Sequence, residues 1–206
     1  MMKRLLILLV ILFTQIYSIQ TYAMNSSEKM DTITLGAGCF WCTEAVFQQL
    51  KGVVSVTSGY SGGKISNPTY REVSSGLTGH AEVIQLVYDK SEISLEDILK
   101  VFFRTHNPTT LNRQGADVGT QYRSAIFYHT DTQRKIAEKV KQNLNEAAIW
   151  EDSIVTEITP FKAFYKAEEY HQNYYNNNPN QGYCQFVIVP KLEKFNQLFE
   201  ELKKDN

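Results

Sequence analysis

Cysteine is scarce in this chain of 206 residues, which contains only three. Small domains that depend on disulfides in place of a large hydrophobic core carry many more cysteines, so the chain is not of that class. An odd number also leaves at least one thiol without a disulfide partner inside the chain. The cysteines are therefore the first candidates for chemistry.

An excess of charge of either sign is also missing, because 21 lysines and arginines stand against 22 aspartates and glutamates. A protein that coats nucleic acid needs a basic surface for the phosphates, so we expect no nucleic-acid partner. The hydrophobic content of 43% is that of an ordinary globular protein. It excludes the disordered and collagen-like classes.

A long apolar run occurs at the N-terminus. Two basic residues precede the run from Leu5 to Phe13, and the segment ends in Thr21-Tyr22-Ala23, where a signal peptidase would cleave. This order is typical of a secretory signal peptide, and the run is short for a membrane-spanning helix. We therefore expect residues 1–23 to be a signal that is cleaved after Ala23, and the protein to be exported to the periplasm or secreted. A retained membrane anchor and a buried N-terminal helix are the alternatives.

The rest of the chain is predicted to form one domain. Residues 24–31 are predicted to be a polar tail, and no change of composition within residues 32–206 indicates a linker. A domain of this size can bury its own core, so we expect a monomer.

Apolar periodicity predicts an α+β fold. The clearest helix runs from Ser94 to about His106, because Ser94 and Asp97 have the spacing of a helix cap. The same patterns predict strands at 32–37, 53–59, 81–88, 121–129 and 153–158, and helices at 39–50, at 132–148 and from Pro190 to about Leu202. This order indicates a ferredoxin-like split βαβ core with additional helices and a long C-terminal loop region.

Cys39 lies where a glycine turn joins the first predicted strand to the first helix. Free backbone N–H groups and the helix dipole lower the pKa of a thiol there, which favours a nucleophile over an inert buried cysteine. Cys39 and Cys42 form a C-x-x-C motif, which also fits thioredoxin-like disulfide exchange or half of a zinc site. A zinc site needs a second pair of ligands, but the four histidines are scattered and Cys184 is the third thiol. We therefore expect no metal.

Five segments resemble the motifs of the A-type peptide methionine sulfoxide reductases. They are Gly38-Cys39-Phe40-Trp41, Asn67-Pro68-Thr69-Tyr70-Arg71-Glu72-Val73, Gly79-His80-Ala81-Glu82-Val83, Gln114 through Ser124, and Glu169-Tyr170-His171-Gln172. They occur in order between about Ile33 and Leu192, which chance does not explain. The resemblance implies reduction of methionine S-sulfoxide, free or in proteins, through a cysteine sulfenic acid and an intramolecular disulfide. Such a reaction repairs oxidative damage.

The resemblance also implies roles for individual residues. The nucleophile maps to Cys39, the cage for the substrate methyl group to Phe40 and Trp41, the partners of the sulfoxide oxygen to Tyr70, Glu82 and Tyr122, and a further substrate-binding position to Asp117. A sulfoxide oxygen needs a proton or strong hydrogen bonds before a thiolate attacks the sulfur. Glu82 shares a strand face with apolar residues, so we expect burial to keep it protonated. Tyr170 and His171 are explained equally well as structural residues.

A second thiol has to regenerate the enzyme. The resemblance places the recycling cysteine at Cys184, and the asparagine-rich segment 174–180 predicts a loop that lets Cys184 approach Cys39. Cys42 is the alternative. Many relatives carry glycine at this position, so the thiol is a departure from the family, and the two sulfurs of a C-x-x-C motif lie within bonding reach. The sequence favours Cys184 for its mobile setting.

The reducing equivalents would come from a thioredoxin-like protein or a dithiol, with no bound cofactor. An exported enzyme cannot use a cytosolic thioredoxin, so its reductant would be an extracytoplasmic relative. Two other functions fit parts of the sequence. A thioredoxin-like oxidoreductase would use the C-x-x-C motif but has no need of Glu82, Tyr70 and Tyr122, and an exported binding domain would use the cysteines as crosslinks.

Overall fold

The structure is a computed structural model and describes residues 29–204. The predicted signal peptide, residues 1–23, and residues 24–28 of the predicted tail lie outside the described residues. Within the described part, no helix has the length and apolar character needed to cross a bilayer.

A six-stranded sheet forms the centre of the domain. Its strands are β1 (Met30–Ala37), β2 (Val53–Ser61), β3 (Ala81–Asp89), β6 (Ser124–Tyr128), β7 (Glu157–Pro160) and β8 (Phe164–Lys166), in the order β7-β6-β1-β3-β2-β8. β6 and β7 are parallel and the other neighbours are antiparallel. Two short strands, β4 (Arg113–Gln114) and β5 (Asp117–Val118), form a separate hairpin.

Six α-helices accompany the strands in residues 29–204. They are α1 (Phe40–Phe47), α2 (Tyr70–Ser74), α3 (Leu95–Thr105), α4 (Asp131–Glu146), α5 (Tyr174–Asn177) and α6 (Val189–Leu198). A turn of π-helix, Cys184–Ile188, leads directly into α6, and 3₁₀ turns occur at Thr120–Tyr122, Glu169–His171 and Glu200–Leu202.

The predicted split βαβ core is confirmed. β1 and β2 are joined through α1 and run in the same direction, with β3 between them and antiparallel to both. β6 follows α3 and pairs with the other side of β1, which completes the order β6-β1-β3-β2. Helix α1 packs on β2 and β3, so its first turn lies at the end of β1 beside the middle strand.

The N-terminal cap of α3 matches the sequence prediction. The Ser94 hydroxyl accepts a hydrogen bond from the Asp97 backbone N–H at 3.1 Å. Buried Ile98, Leu99 and Phe102 follow at helical spacing and anchor the helix in the core.

Removing this cap should measurably destabilise the protein. Ser94→Ala is expected to lower the free energy of unfolding by about 1 kcal/mol, because an N–H of the first turn loses its acceptor. Urea denaturation followed by circular dichroism measures the change. An unaltered m-value shows that the free energy of unfolding changed and the surface exposed on unfolding did not. Ser153→Ala, at an exposed serine outside any helix or strand, is the matched control, and its change should stay within about 0.5 kcal/mol. Equal losses in both variants would contradict the role of the cap.

Three parts of the secondary structure differ from the prediction. The seventh strand is Glu157–Pro160, later than the predicted 153–158, and it is a short edge strand whose position depends on pairing with β6. The last helix begins at Val189, directly after the π turn, and not at Pro190 as predicted. Pro190 lies in its first turn, where proline is tolerated. The asparagine-rich segment includes the short helix α5, and Cys184 begins the π turn instead of lying in a loop.

Candidate active site

Cys39 is the N-cap residue of α1, directly after a turn that requires glycine. Gly38 has a φ of +91°, and a Cβ atom there would lie 2.6 Å from the Gln114 side chain. Gln114 is held in that place by two hydrogen bonds of 3.0 Å with the backbone of Asn107. The hairpin of β4 and β5 therefore closes over the turn that carries Cys39.

Glu82 lies beside this turn on β3. Its carboxylate oxygen Oε2 accepts the backbone N–H of Phe40, the residue after Cys39, at 3.1 Å. The residue is 2% exposed. Burial raises the pKa of Glu82 to about 8, with the N–H of Phe40 opposing the shift and the charges of Asp117 and Cys42 adding to it. The carboxyl group is thus protonated at neutral pH, as the sequence predicted.

Cys39 does not have the low thiol pKa that its position predicted. Burial raises the pKa of Cys39 well above its usual range, and its hydrogen bond to Cys42 and the charges of Cys42 and Glu82 add to the rise. The physical reason is that its side chain takes no hydrogen bond from the first turn of α1. The N–H of Phe40 is directed at Glu82 instead.

The pKa of Cys42 is shifted in the opposite direction to that of Cys39. The hydrogen bond donated by Cys39 lowers the pKa of Cys42 to about 6 against the effect of burial, helped by the charge of Lys191 and by Tyr183. The Tyr183 hydroxyl lies 3.7 Å from the Cys42 sulfur and donates to Asp117 Oδ2 at 2.9 Å. Cys42, Tyr183 and Asp117 therefore form one connected polar group, and Cys39 lies next to it.

Two further tyrosines lie near the carboxyl group. Tyr70 begins α2 and Tyr122 ends the 3₁₀ turn before β6, and both are partly buried. Burial and the charge of Glu82 raise the pKa of each phenol. Both hydroxyl groups stay protonated at neutral pH and can donate hydrogen bonds to an oxygen atom.

Aromatic rings form the apolar side of the site. Phe40 is buried and stacks with Tyr70 at a ring distance of 6.5 Å. Trp41 is partly exposed, stacks on Tyr174 at 3.6 Å, and donates from its indole Nε1 to His171 Nδ1 at 3.1 Å. His171 is buried, and its burial lowers its pKa. His171 is therefore a neutral hydrogen-bond acceptor that fixes the orientation of the Trp41 ring.

Glu168 was not identified from the sequence. Its carboxylate accepts the backbone N–H of Tyr70 and the hydroxyl of Tyr60, each at 2.8 Å. It thereby ties the first turn of α2 to β2, where Tyr60 pairs with Glu82. Tyr183 was not identified either, and it contacts Cys42 and Asp117, which are distant from it in the chain. Local spacing contains no signal for either arrangement.

Cys184 is fully buried in the π turn. Burial and the charge of Cys42 raise the pKa of Cys184. The structure thus places Cys184 in a packed helical turn, where the sequence predicted a loop. None of the three thiols is in a disulfide.

Among the described residues, no group of three or more histidines, cysteines, aspartates or glutamates is placed to hold a metal ion. Tyr170 is exposed. Among the aromatic rings of the site it packs against His171, at a ring distance of 4.2 Å.

The family model for peptide methionine sulfoxide reductase matches residues 31–203. The chain belongs to the peptide methionine sulfoxide reductase family. It is thus an oxidoreductase, and the family expected from its motifs is confirmed.

Individual relatives agree with the family model. The chain is 58% identical over 169 residues to peptide methionine sulfoxide reductase MsrA 1 of Rhodopirellula baltica, which covers 82% of this chain and 87% of the relative. It is 56% identical over 170 residues to the MsrA of Natronomonas pharaonis, with 82% and 96% covered. Among solved structures, reduced Mxr1 of Saccharomyces cerevisiae superimposes with a TM-score of 0.70 at 40% identity, covering 76% of this chain and 90% of that one.

Proposed function

We propose that this reductase converts methionine S-sulfoxide, free or in peptides, to methionine, with Cys39 as the nucleophile. Membership of the family supports the reaction, and the A-type motifs support the S epimer. The observation that carries the proposal is the burial of the Glu82 carboxyl group, which favours its protonated form. This group is buried against the backbone of Phe40, next to the thiol that would attack.

The first step moves two protons. As the Cys39 sulfur attacks the sulfoxide sulfur, its proton passes to the neighbouring Cys42 thiolate. Glu82 gives its proton to the sulfoxide oxygen. The oxygen passes from the substrate sulfur to the Cys39 sulfur and becomes the hydroxyl of a sulfenic acid. The bond between the two sulfurs breaks and methionine leaves, reduced by the two electrons that Cys39 loses.

The surrounding side chains bind the substrate. The hydroxyls of Tyr70 and Tyr122 donate hydrogen bonds to the sulfoxide oxygen while Glu82 protonates it. Phe40 and Trp41 provide flat apolar surfaces for the methyl group. Asp117 acts through Tyr183, because it accepts the hydroxyl hydrogen bond that holds this ring beside the thiols.

Cys42 is the better candidate for the first disulfide. The two residues are three apart at the start of α1 and their thiols interact, so their sulfurs can bond without a loop movement. The Cys42 sulfur attacks the sulfenic sulfur, and the hydroxyl leaves with the Cys42 proton as water. Cys184 remains the alternative partner, and its reaction requires the π turn to open.

A thioredoxin-like protein is the proposed source of electrons. Yeast Mxr1 has been solved in complex with Trx2, and that structure superimposes on this chain with a TM-score of 0.50 at 32% identity. We retain export as part of the proposal on the pattern of residues 1–23, so the reductant would be extracytoplasmic. Mass spectrometry of protein from its native host should then find a start near Met24, and an intact Met1 on protein in the soluble cytosol would contradict export.

An assay that resolves the two epimers tests the function. Purified protein with dithiothreitol should consume the S epimer of a methionine sulfoxide peptide and leave the R epimer unchanged, as chiral chromatography of the products would show. Consumption of both epimers at similar rates, or of R alone, would contradict the proposal.

Mapping the disulfide tests the recycling step. One turnover without reductant should give a Cys39–Cys42 bond, detected by peptide mass spectrometry, in the wild type and in Cys184→Ser. Cys42→Ser should accumulate the sulfenic acid, which a dimedone probe captures. A first bond between Cys39 and Cys184 in the wild type would instead favour Cys184.

A further inference from the structure

A small cavity lies against Cys42, away from the aromatic walls of the site. It has a volume of about 10 Å³ and is lined by Cys42, Thr43 and Val46 of α1, Thr105 and His106 at the end of α3, and Lys191 of α6, together with Ala37. Tyr183, Trp41 and Phe40 are not part of its lining. Cys42 therefore has a second polar neighbourhood.

Lys191 is the cation of this cavity. The other basic side chain in the lining, His106, is neutral, because burial lowers its pKa to about 3. Its ring nitrogens are engaged with the Phe102 carbonyl at 2.6 Å and the Ser124 hydroxyl at 2.7 Å. Lys191 is half-buried and forms no salt bridge with a carboxylate of residues 29–204. Its charge thus faces a cavity whose lining contains a thiol and no acid.

We propose that Lys191 is a positioning residue for the reaction, because its ammonium group holds Cys42 as a thiolate and so prepares Cys42 to accept the Cys39 proton. This inference rests on the proton route described under the proposed function. A charge close to a buried sulfur is screened weakly, which makes it effective even without direct contact.

The electrostatics of Cys42 agree with this assignment. The charge of Lys191 contributes to the lowered pKa of Cys42, after the hydrogen bond from Cys39. The other titratable groups that face Cys42 are Cys39, Tyr183, Cys184, Asp117, Glu82 and the neutral His106. The charge of Asp117 disfavours a thiolate at Cys42, and Glu82 is protonated at neutral pH, so Lys191 is the residue in this set whose charge favours one.

The pH dependence of the first turnover tests the inference. Rapid-quench measurement of methionine released without reductant should show an acidic limb near pH 6 in the wild type, where Cys42 loses its charge. In Lys191→Gln this limb should move upward by about one pH unit, since an opposite charge is removed. The rate at pH 6 should then fall several-fold, while the rate on the plateau changes little. Lys191→Arg, which keeps the charge, should restore the wild-type limb.

Lys194→Gln is the matched control. Lys194 lies one turn further along α6, over the Trp150 ring at 5.5 Å, and its removal should leave the acidic limb in place. An unmoved limb in Lys191→Gln would overturn the role of Lys191, and so would an equal loss of rate at every pH, which indicates a merely structural effect. The proposed function is checked separately by Cys42→Ser: if its acidic limb is unchanged, the proton route itself is wrong.

Discussion

Cys39→Ser is expected to release no methionine from a sulfoxide peptide. A hydroxyl at this position is a far weaker nucleophile than sulfur and cannot carry the oxygen as a sulfenic acid, so the covalent route is lost. We expect kcat/KM to fall by at least about 10⁴-fold, in line with the removal of other covalent nucleophiles. Chromatography of free methionine after a single turnover, without reductant, is the direct measurement.

Cys184→Ser is the control for this experiment. It removes a buried thiol that the first step does not use, so about one equivalent of methionine per enzyme should still be released. Circular dichroism should show that both variants keep the fold. Methionine release by Cys39→Ser at more than a trace level would show that another thiol attacks the sulfoxide.

Glu82→Gln has the second largest expected effect. The amide can still donate a hydrogen bond to the sulfoxide oxygen but has no proton to give, so kcat/KM should fall by about 10²–10³-fold. Loss of a general acid has a further signature in the pH profile. The wild-type rate should decline as pH rises through about 8, where Glu82 ionises, and this basic limb should be missing in the variant.

Glu138→Gln serves as the comparison, since Glu138 is an exposed glutamate on α4 that pairs with Arg134 at the surface. Its rate and its pH profile should match the wild type within a factor of two or so, because exposed ion pairs contribute little. A basic limb that persists in Glu82→Gln would assign the titration near pH 8 to another group.

Elements with a strong local pattern were predictable from the sequence. Helix α3 combines a cap at Ser94 with apolar residues at regular spacing, and the structure begins and ends it within a residue of the prediction. The strands of the split βαβ core alternate or are continuously apolar, so β1, β2 and β3 were also located. These signals are local, and their tertiary context agrees with them.

Short elements were not predictable, because they depend on contacts between distant residues. The two-residue strands β4 and β5 exist through their mutual pairing, and Gln114 packs where a side chain at Gly38 would be. The asparagine-rich segment before Cys184 favours turns, so the sequence predicted a loop there. The helical conformation around Cys184 instead depends on the burial of this cysteine in the core.

In the candidate site, too, the features with a local signal were predictable and those that depend on distant contacts were not. The identities of Cys39, Glu82 and the tyrosines followed from motifs, and the burial of Glu82 followed from its strand face. The thiol electrostatics did not follow, because the local rule for a helix N-terminus assumes that the sulfur receives the free N–H groups. Here the N–H of Phe40 points at Glu82, a partner on another strand that spacing along the chain cannot indicate.

The buried carboxyl group of Glu82 also has a cost in folding. An acid whose pKa is raised in the folded state stabilises that state only while it stays protonated, so stability is lost as pH rises from about 4.5 towards about 8. At neutral pH, ionisation of Glu82 lowers the free energy of the unfolded chain but not that of the folded chain. Selection for thermal stability alone would therefore replace this residue, and its presence marks a place where the protein gives up stability for chemistry.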